Sequence, residues 1–220
     1  MQANLTELIF ILDRSGSMGG MESDTIGGFN SMLSKQRSEP GDCRITTVLF
    51  DNEYEVLHDR IDIKAVSDIT DRDYYVRGQT ALLDAIGKTI SKLINVQKST
   101  SEDYRAKKVL FVITTDGMEN ASRKFDFSKI KSMIEHQQSK YNWEFIFLGA
   151  NMDAVNMASS FGIAANRAQS FHNDSEGIAV HYKAVSETIG NFRAAAHSIK
   201  LDDNWSADIK ADYKKRGGKH

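Results

Sequence analysis

Three stretches of the chain, residues 5–12, 107–114 and 143–148, are apolar almost without interruption, and this limits the possible folds more than any other feature. A strand with one wet face alternates apolar and polar residues, whereas an unbroken apolar strand is covered on both sides, as in a parallel sheet between helices. The segments between them repeat at helical spacing. Ile26, Phe29 and Leu33 mark a helix over 21–38, which Pro40 and Gly41 stop. Leu82, Ile86, Ile90 and Leu93 form one stripe of a second helix over 81–96, and Phe127, Ile130 and Ile134 begin a third. Residues 43–50 and 54–63 are β-rich runs joined by Asp51, Asn52 and Glu53, a connection short enough for an antiparallel pair. The second run is the more polar and suits a sheet edge.

Further along, a short helix over 154–161 and a weaker extended piece over 165–171 continue the alternation. Ile178, Tyr182, Val185, Ile189, Phe192, Ala196 and Ile199 then step by fours and threes, a long amphipathic helix for which Asn173 with Glu176 offers a cap. Strands alternating with helices throughout predict an α/β fold: a Rossmann-like, open, mostly parallel sheet with one antiparallel edge strand and helices on both faces. Residues 1–200 form this domain. Residues 201–220 are charged, with Trp205, Ile209 and Tyr213 as the only anchors, and read as a mobile tail.

Composition removes several classes of function. Lys and Arg number 28 against 30 for Asp and Glu, a formal charge of -2, so no overall field attracts nucleic acid or anionic lipid. A single cysteine, Cys43, forms no internal disulfide and no multi-thiolate metal site; lying in a strand, it reads as a buried small hydrophobe. No apolar run approaches the roughly 18 residues of a membrane span, and no leader pattern precedes the first strand, so the expectation is a cytoplasmic protein with no membrane partner.

In an open α/β sheet, ligands bind beyond the carboxyl ends of the strands where strand order reverses, so the informative residues are those that follow strands. Asp13-Arg14-Ser15-Gly16-Ser17 follows the first strand and offers a carboxylate and two hydroxyls at alternate positions. Thr114-Thr115-Asp116-Gly117 follows a central strand, and Gly78-Gln79-Thr80 precedes the second helix. Asp13, Ser15, Ser17, Thr80 and Asp116 are thus five oxygen donors. Hard cations take oxygen ligands, and Mg²⁺ favours an octahedron at about 2.0–2.1 Å with some waters retained. Zinc, which prefers imidazole and thiolate, is disfavoured; Mn²⁺ fits as Mg²⁺ does.

The segments LIFILDRSGSM, GQTALLDAI and VLFVITTDG resemble the three parts of the metal-ion-dependent adhesion site of von Willebrand factor A (VWA) domains. Among subfamilies the chain is similar to bacterial stand-alone domains of the tellurite-resistance-associated type, though Tyr75-Val76-Arg77 lacks a proline common at that point. The resemblance covers about residues 5 to 150 by motif and 151 to 200 by element order. It implies that Ser15 and Ser17 contact the metal, that Thr80 does so directly or through water, and that Asp13 and Asp116 act largely through water. It further implies an open coordination position, filled by an Asp or Glu of a partner protein. The expected function is a divalent-metal-dependent protein-binding module and not an enzyme.

Each motif also has a plainer explanation. Asp and Ser commonly cap helices and fill turns; only their joint position after strands, with Thr80 and Asp116, argues for a metal. Met118, Glu119 and Asn120 read as a solvated loop sooner than as a rim to the site. Asp71, Arg72, Asp73 and Arg77 suit an exposed loop or a charge-selective one equally. The six histidines have no ligand spacing, and neither a P-loop lysine nor a GxGxxG fingerprint is present. A metal-dependent hydrolase or phosphoryl-transfer enzyme is the alternative function, against which stands the lack of a general base near Asp13.

Overall fold

The computed structural model describes residues 5–195 and 200–218. The elements run β1 (Thr6–Asp13), α1 (Glu22–Ser38), β2 (Cys43–Phe50), β3 (Tyr54–Asp62), α2 (Leu82–Ser99), β4 (Lys108–Thr115), α3 (Phe127–Tyr141), β5 (Glu144–Ala150), α4 (Ala154–Ser160), β6 (Ala168–Phe171), α5 (Ser175–Ala194) and α6 (Ala207–Lys215). They build one six-stranded sheet in the order β3-β2-β1-β4-β5-β6. All neighbours are parallel except β2 and β3, so the antiparallel strand is at the edge, as the sequence predicts.

The unbroken apolar strands divide their side chains between two cores. Leu8, Phe10 and Leu12 of β1 face one way, with Leu110 and Val112 of β4 and Ile146 and Leu148 of β5, against Phe29 and Leu33 of α1 and Ile178, Val185 and Ile189 of α5. Ile9 and Ile11 face the other way, with Phe111, Phe145 and Phe147, against Ile86 and Ile90 of α2 and Ile130 and Ile134 of α3. Complete burial on both faces is the physical reason for the missing alternation. Helix α1 approaches α5 closely through Gly28, where an added Cβ would lie 2.3 Å from the Tyr182 ring. Cys43 is buried and free, and burial raises its thiol to a pKa of about 12. No helix among the described residues is long and apolar enough to cross a membrane.

Two expectations are corrected. The cap of α5 is Asp174, whose carboxylate accepts from the Gly177 N–H at 2.8 Å, not Asn173 with Glu176; Ala196 and Ile199 of the predicted stripe lie outside the described residues. The C-terminal segment, read as a mobile tail, instead forms α6, docked on α5 and β6. Leu201, Trp205, Ile209 and Tyr213 are all buried, and their spacing of four was the available signal. The Trp205 indole donates to the Asn166 carbonyl at 2.8 Å, and Arg216 bridges Asp212 and Asp174 at 2.7 and 2.6 Å. Limited proteolysis is expected to leave residues 205–215 intact. Ile209→Ala is expected to cost about 2 kcal/mol, the lower end for a large-to-small core change, measurable by urea denaturation.

Candidate metal centre

Strand order reverses between β1 and β4, which are neighbours in the sheet although β2 and β3 intervene in the chain. Their carboxyl ends therefore open the crevice in which such sheets bind ligands. Asp13 ends β1 and Asp116 directly follows β4. Thr80 reaches the same place from the loop before α2, which is tied to the first loop by Gly16 N–H to the Gly78 carbonyl at 3.2 Å and Arg77 N–H to the Arg14 carbonyl at 2.9 Å.

The five predicted residues converge. Ser15 Oγ lies 3.0 Å from Ser17 Oγ and accepts from Thr80 Oγ1 at 3.1 Å. Ser17 Oγ donates to Asp116 Oδ1 at 2.5 Å. Asp13 turns inward: its Oδ1 accepts from the Ser15 N–H at 2.7 Å and its Oδ2 from Thr115 Oγ1 at 2.5 Å. Asp13, Ser15 and Thr80 are buried, whereas Ser17 is exposed and Asp116 half-buried, so the cluster has one wet side. Gly117 makes the closure possible, since a Cβ there would lie 2.5 Å from Thr80 Oγ1 and 3.3 Å from Ser17 Oγ.

Burial sets the electrostatics. It raises Asp13 to a pKa of about 6, against the stabilising hydrogen bonds of Thr115 and Ser15, and the nearby Asp116 charge raises it further. Asp116 is raised for the same reason, with the Ser17 hydroxyl opposing. Among the described residues, no cationic side chain is a main influence on either carboxylate. The cluster is anionic, all-oxygen and short of positive charge. Among the described residues, no three of His, Cys, Asp and Glu gather anywhere in a way that could hold a metal; this cluster has two carboxylates, and its other donors are hydroxyls.

Several residues that the sequence reading took for a solvated loop or gave no role at the site help to build it. Asn120 clasps Thr80 from both sides, its Oδ1 accepting the Thr80 N–H at 2.9 Å and its own N–H reaching the Thr80 carbonyl at 3.0 Å. Glu119 accepts from the N–H groups of Leu83, Ala121 and Ser122, so it fastens the β4 loop to the start of α2 and is not simply solvated. Met118 and Asn120 stand exposed and Glu119 is half-buried, but only Met118 makes no such tie. Tyr74 donates to the Asp13 carbonyl at 2.6 Å, and Asn173 Nδ2 donates to Asp116 Oδ2 at 3.0 Å. Their partners are distant in sequence, so spacing carried no sign of them.

Arg14, the second residue of the first motif, points away from the cluster and is wholly buried. Its Nε meets Asp51 Oδ2 at 3.0 Å, and Arg77 Nε meets the same oxygen at 2.8 Å. Burial pushes the Asp51 carboxyl up, but hydrogen bonds from Arg77, the Glu53 N–H and Arg14 outweigh it and hold it below the usual range. The Tyr75 ring lies 5.3 Å from the Arg14 guanidinium and 5.5 Å from that of Arg77, within the range of cation–π attraction. The charges before Thr80 therefore act partly as an internal brace: Arg77 joins Asp51 and Glu53, and Asp73 accepts from Thr70 N–H and Oγ1.

An open α/β sheet with acidic and hydroxyl side chains gathered at its switch point defines a class of ligand-binding domains. The sequence profile of the von Willebrand factor type A domain matches residues 7–181, and the chain belongs to that family. No curated protein matches the sequence. Among solved structures, a von Willebrand factor type A protein from Catenulispora acidiphila aligns with TM-score 0.58 and 12% identity over 84% of this chain and 42% of that one. Proximal thread matrix protein 1 of the mussel byssus, with its metal-ion-dependent adhesion motif occupied by zinc, gives 0.54 and 11% over 86% and 46%. The manganese-loaded TRAP protein of Plasmodium vivax gives 0.51 and 20% over 67% and 57%. The chain spans less than two thirds of each of these proteins, and identities this low speak for the fold alone. Members of the family are mostly adhesion or interaction modules, typically metal-dependent, and not enzymes.

Proposed function

We propose that this domain binds a partner protein through a divalent cation held at the β1–β4 crevice. The observation that carries the reading is the pair of carboxylates, Asp13 buried and Asp116 half-buried, beside three hydroxyls and with no cationic side chain among the described residues as a main influence on either. Buried ionised carboxylates cost several kcal/mol each unless a positive charge compensates, and a bound dication supplies it. The donor set is all oxygen, which suits Mg²⁺ and admits Mn²⁺. Ser15, Ser17 and Thr80 would hold the ion by their hydroxyls; Asp13, tied to Thr115 and the Ser15 N–H, would orient them, and Asp116 would act through Ser17 or water. That TRAP is manganese-loaded and the byssus protein carries zinc in its adhesion motif supports a divalent ion here.

The ion supplies a positive centre for an anionic group of the partner. Hydroxyl ligands neutralise little of its charge, so a partner's Asp or Glu completes the shell. The one wet side, at Ser17 and Asp116, is where that carboxylate would enter. The test is calorimetric titration with Mg²⁺ and Mn²⁺, followed by capture of partners with Mg²⁺ and with EDTA. One metal per chain and EDTA-sensitive capture are expected; failure to bind either ion would overturn the reading.

A further inference from the structure

The geometry points to Asn173 as a sixth residue of the metal centre, a positioning residue that fixes Asp116 with its amide and receives a hydrogen bond from a metal-bound water on its carbonyl. This rests on the proposed reading of the site as a metal centre.

Asp116 is gripped from two directions: Ser17 Oγ donates to Oδ1 and Asn173 Nδ2 donates to Oδ2. An ionised carboxylate only accepts, so the amide nitrogen of Asn173 must be the end that faces it. That chemistry fixes the other end as well. Asn173 Oδ1 is buried and has no hydrogen-bond partner among the described residues. A buried acceptor left without a hydrogen bond is unfavourable, and the side chain would avoid this by turning outward unless a donor is supplied. Water on a dication is a stronger donor than ordinary water because the ion draws charge from its oxygen. The orphaned carbonyl, on the same amide that binds Asp116, matches such a donor.

The backbone keeps Asn173 in this position. Its N–H donates to Asn151 Oδ1 at 3.3 Å, and the Asn151 N–H donates to the Phe171 carbonyl at 2.9 Å, with Asn151 itself at φ 52°. The next residue, Asp174, is committed to capping α5 and to Arg216 at 2.6 Å. Asn173 is therefore anchored on both sides, and among the described residues its side chain hydrogen-bonds to Asp116 alone.

Outer partners of metal ligands typically change metal affinity by about 10–100-fold when removed. Asn173→Leu, close in shape and without polar atoms, is expected to weaken Mg²⁺ binding by about that factor and to leave the melting temperature of the metal-free protein unchanged or slightly raised. In the wild-type protein, the Asn173 side-chain amide resonances should shift on adding Mg²⁺ and broaden with trace Mn²⁺. Unchanged affinity in Asn173→Leu, or amide resonances indifferent to metal, would overturn the inference while the metal reading stands. A lower melting temperature in the metal-free variant with affinity preserved would make Asn173 structural only. Absence of metal binding by the wild type would overturn the metal reading, and this inference with it. If Asn173→Leu does not fold, the resonances of the wild type decide the matter.

Discussion

Asp116→Ala, and separately the double change Ser15→Ala with Ser17→Ala, should each abolish Mg²⁺ and Mn²⁺ binding while leaving a folded domain. The first removes the carboxylate at the wet side of the cluster; the second removes two of three hydroxyls. Neither touches the apolar residues of the two cores. Asp116→Ala also relieves a carboxylate that burial holds at a raised pKa, so metal-free stability should hold steady or rise. Partner binding should fall with the metal, by several kcal/mol, the scale measured when one member of a desolvated charge pair is lost. Calorimetry and thermal melts check both claims. Undiminished affinity in either variant would show the ligand set to be wrong, and unfolding of both would show the loops to be structural before anything else.

The second large effect lies at the other end of β1, away from the crevice. Glu7 of β1 is completely buried, and its Oε1 receives Arg60 Nε at 2.9 Å and an Arg60 Nη at 2.5 Å. Arg60 belongs to β3 and crosses the intervening β2 to reach it. It sits in the left-handed region at φ 52°, near register shifts between β2 and β3. Arg60→Ala would strand a buried carboxylate and should cost about 3–5 kcal/mol at neutral pH. Burial already raises Glu7 above its usual value near 4.5, with Arg60 opposing; without Arg60 the rise is larger. A carboxyl raised in the folded state favours folding when protonated, so its penalty grows as pH rises from about 4.5 through the folded value and shrinks on acidification. The deficit of Arg60→Ala relative to wild type should accordingly be smaller at pH 5 than at pH 8 in urea titrations. A deficit independent of pH would mean that Arg60 matters for packing and not for charge.

The sequence displayed some of this more clearly than the rest, for physical reasons. Strands β1, β4 and β5 were legible because burial on both faces leaves an unbroken apolar signature. The five converging oxygens were legible because they sit at strand ends, where this topology collects ligands. Strand β6 was faint, being four residues long and preceded by a 3-10 turn. Helix α6 was misread because its charged residues outnumber its anchors, although Leu201, Trp205, Ile209 and Tyr213 fall on one stripe. Asn120, Thr115 and Asn173 were noticed but given other roles or none, since what they do depends on hydrogen bonds to residues 40, 102 and 57 positions away.

Helix α6 also changes where the folding unit ends. The stretch that matches the family stops at residue 181, inside α5. A fragment cut there would retain Asp13, Ser15, Ser17, Thr80, Asp116 and Asn173, and would look functionally complete on paper. It would nevertheless lose Val185, Ile189 and Phe192 from one core, leave β6 without the helix packed beside it, and release Asp174 from Arg216 next to Asn173. The border of the family in sequence and the border of the domain in physics are therefore different places, and recombinant fragments should follow the second.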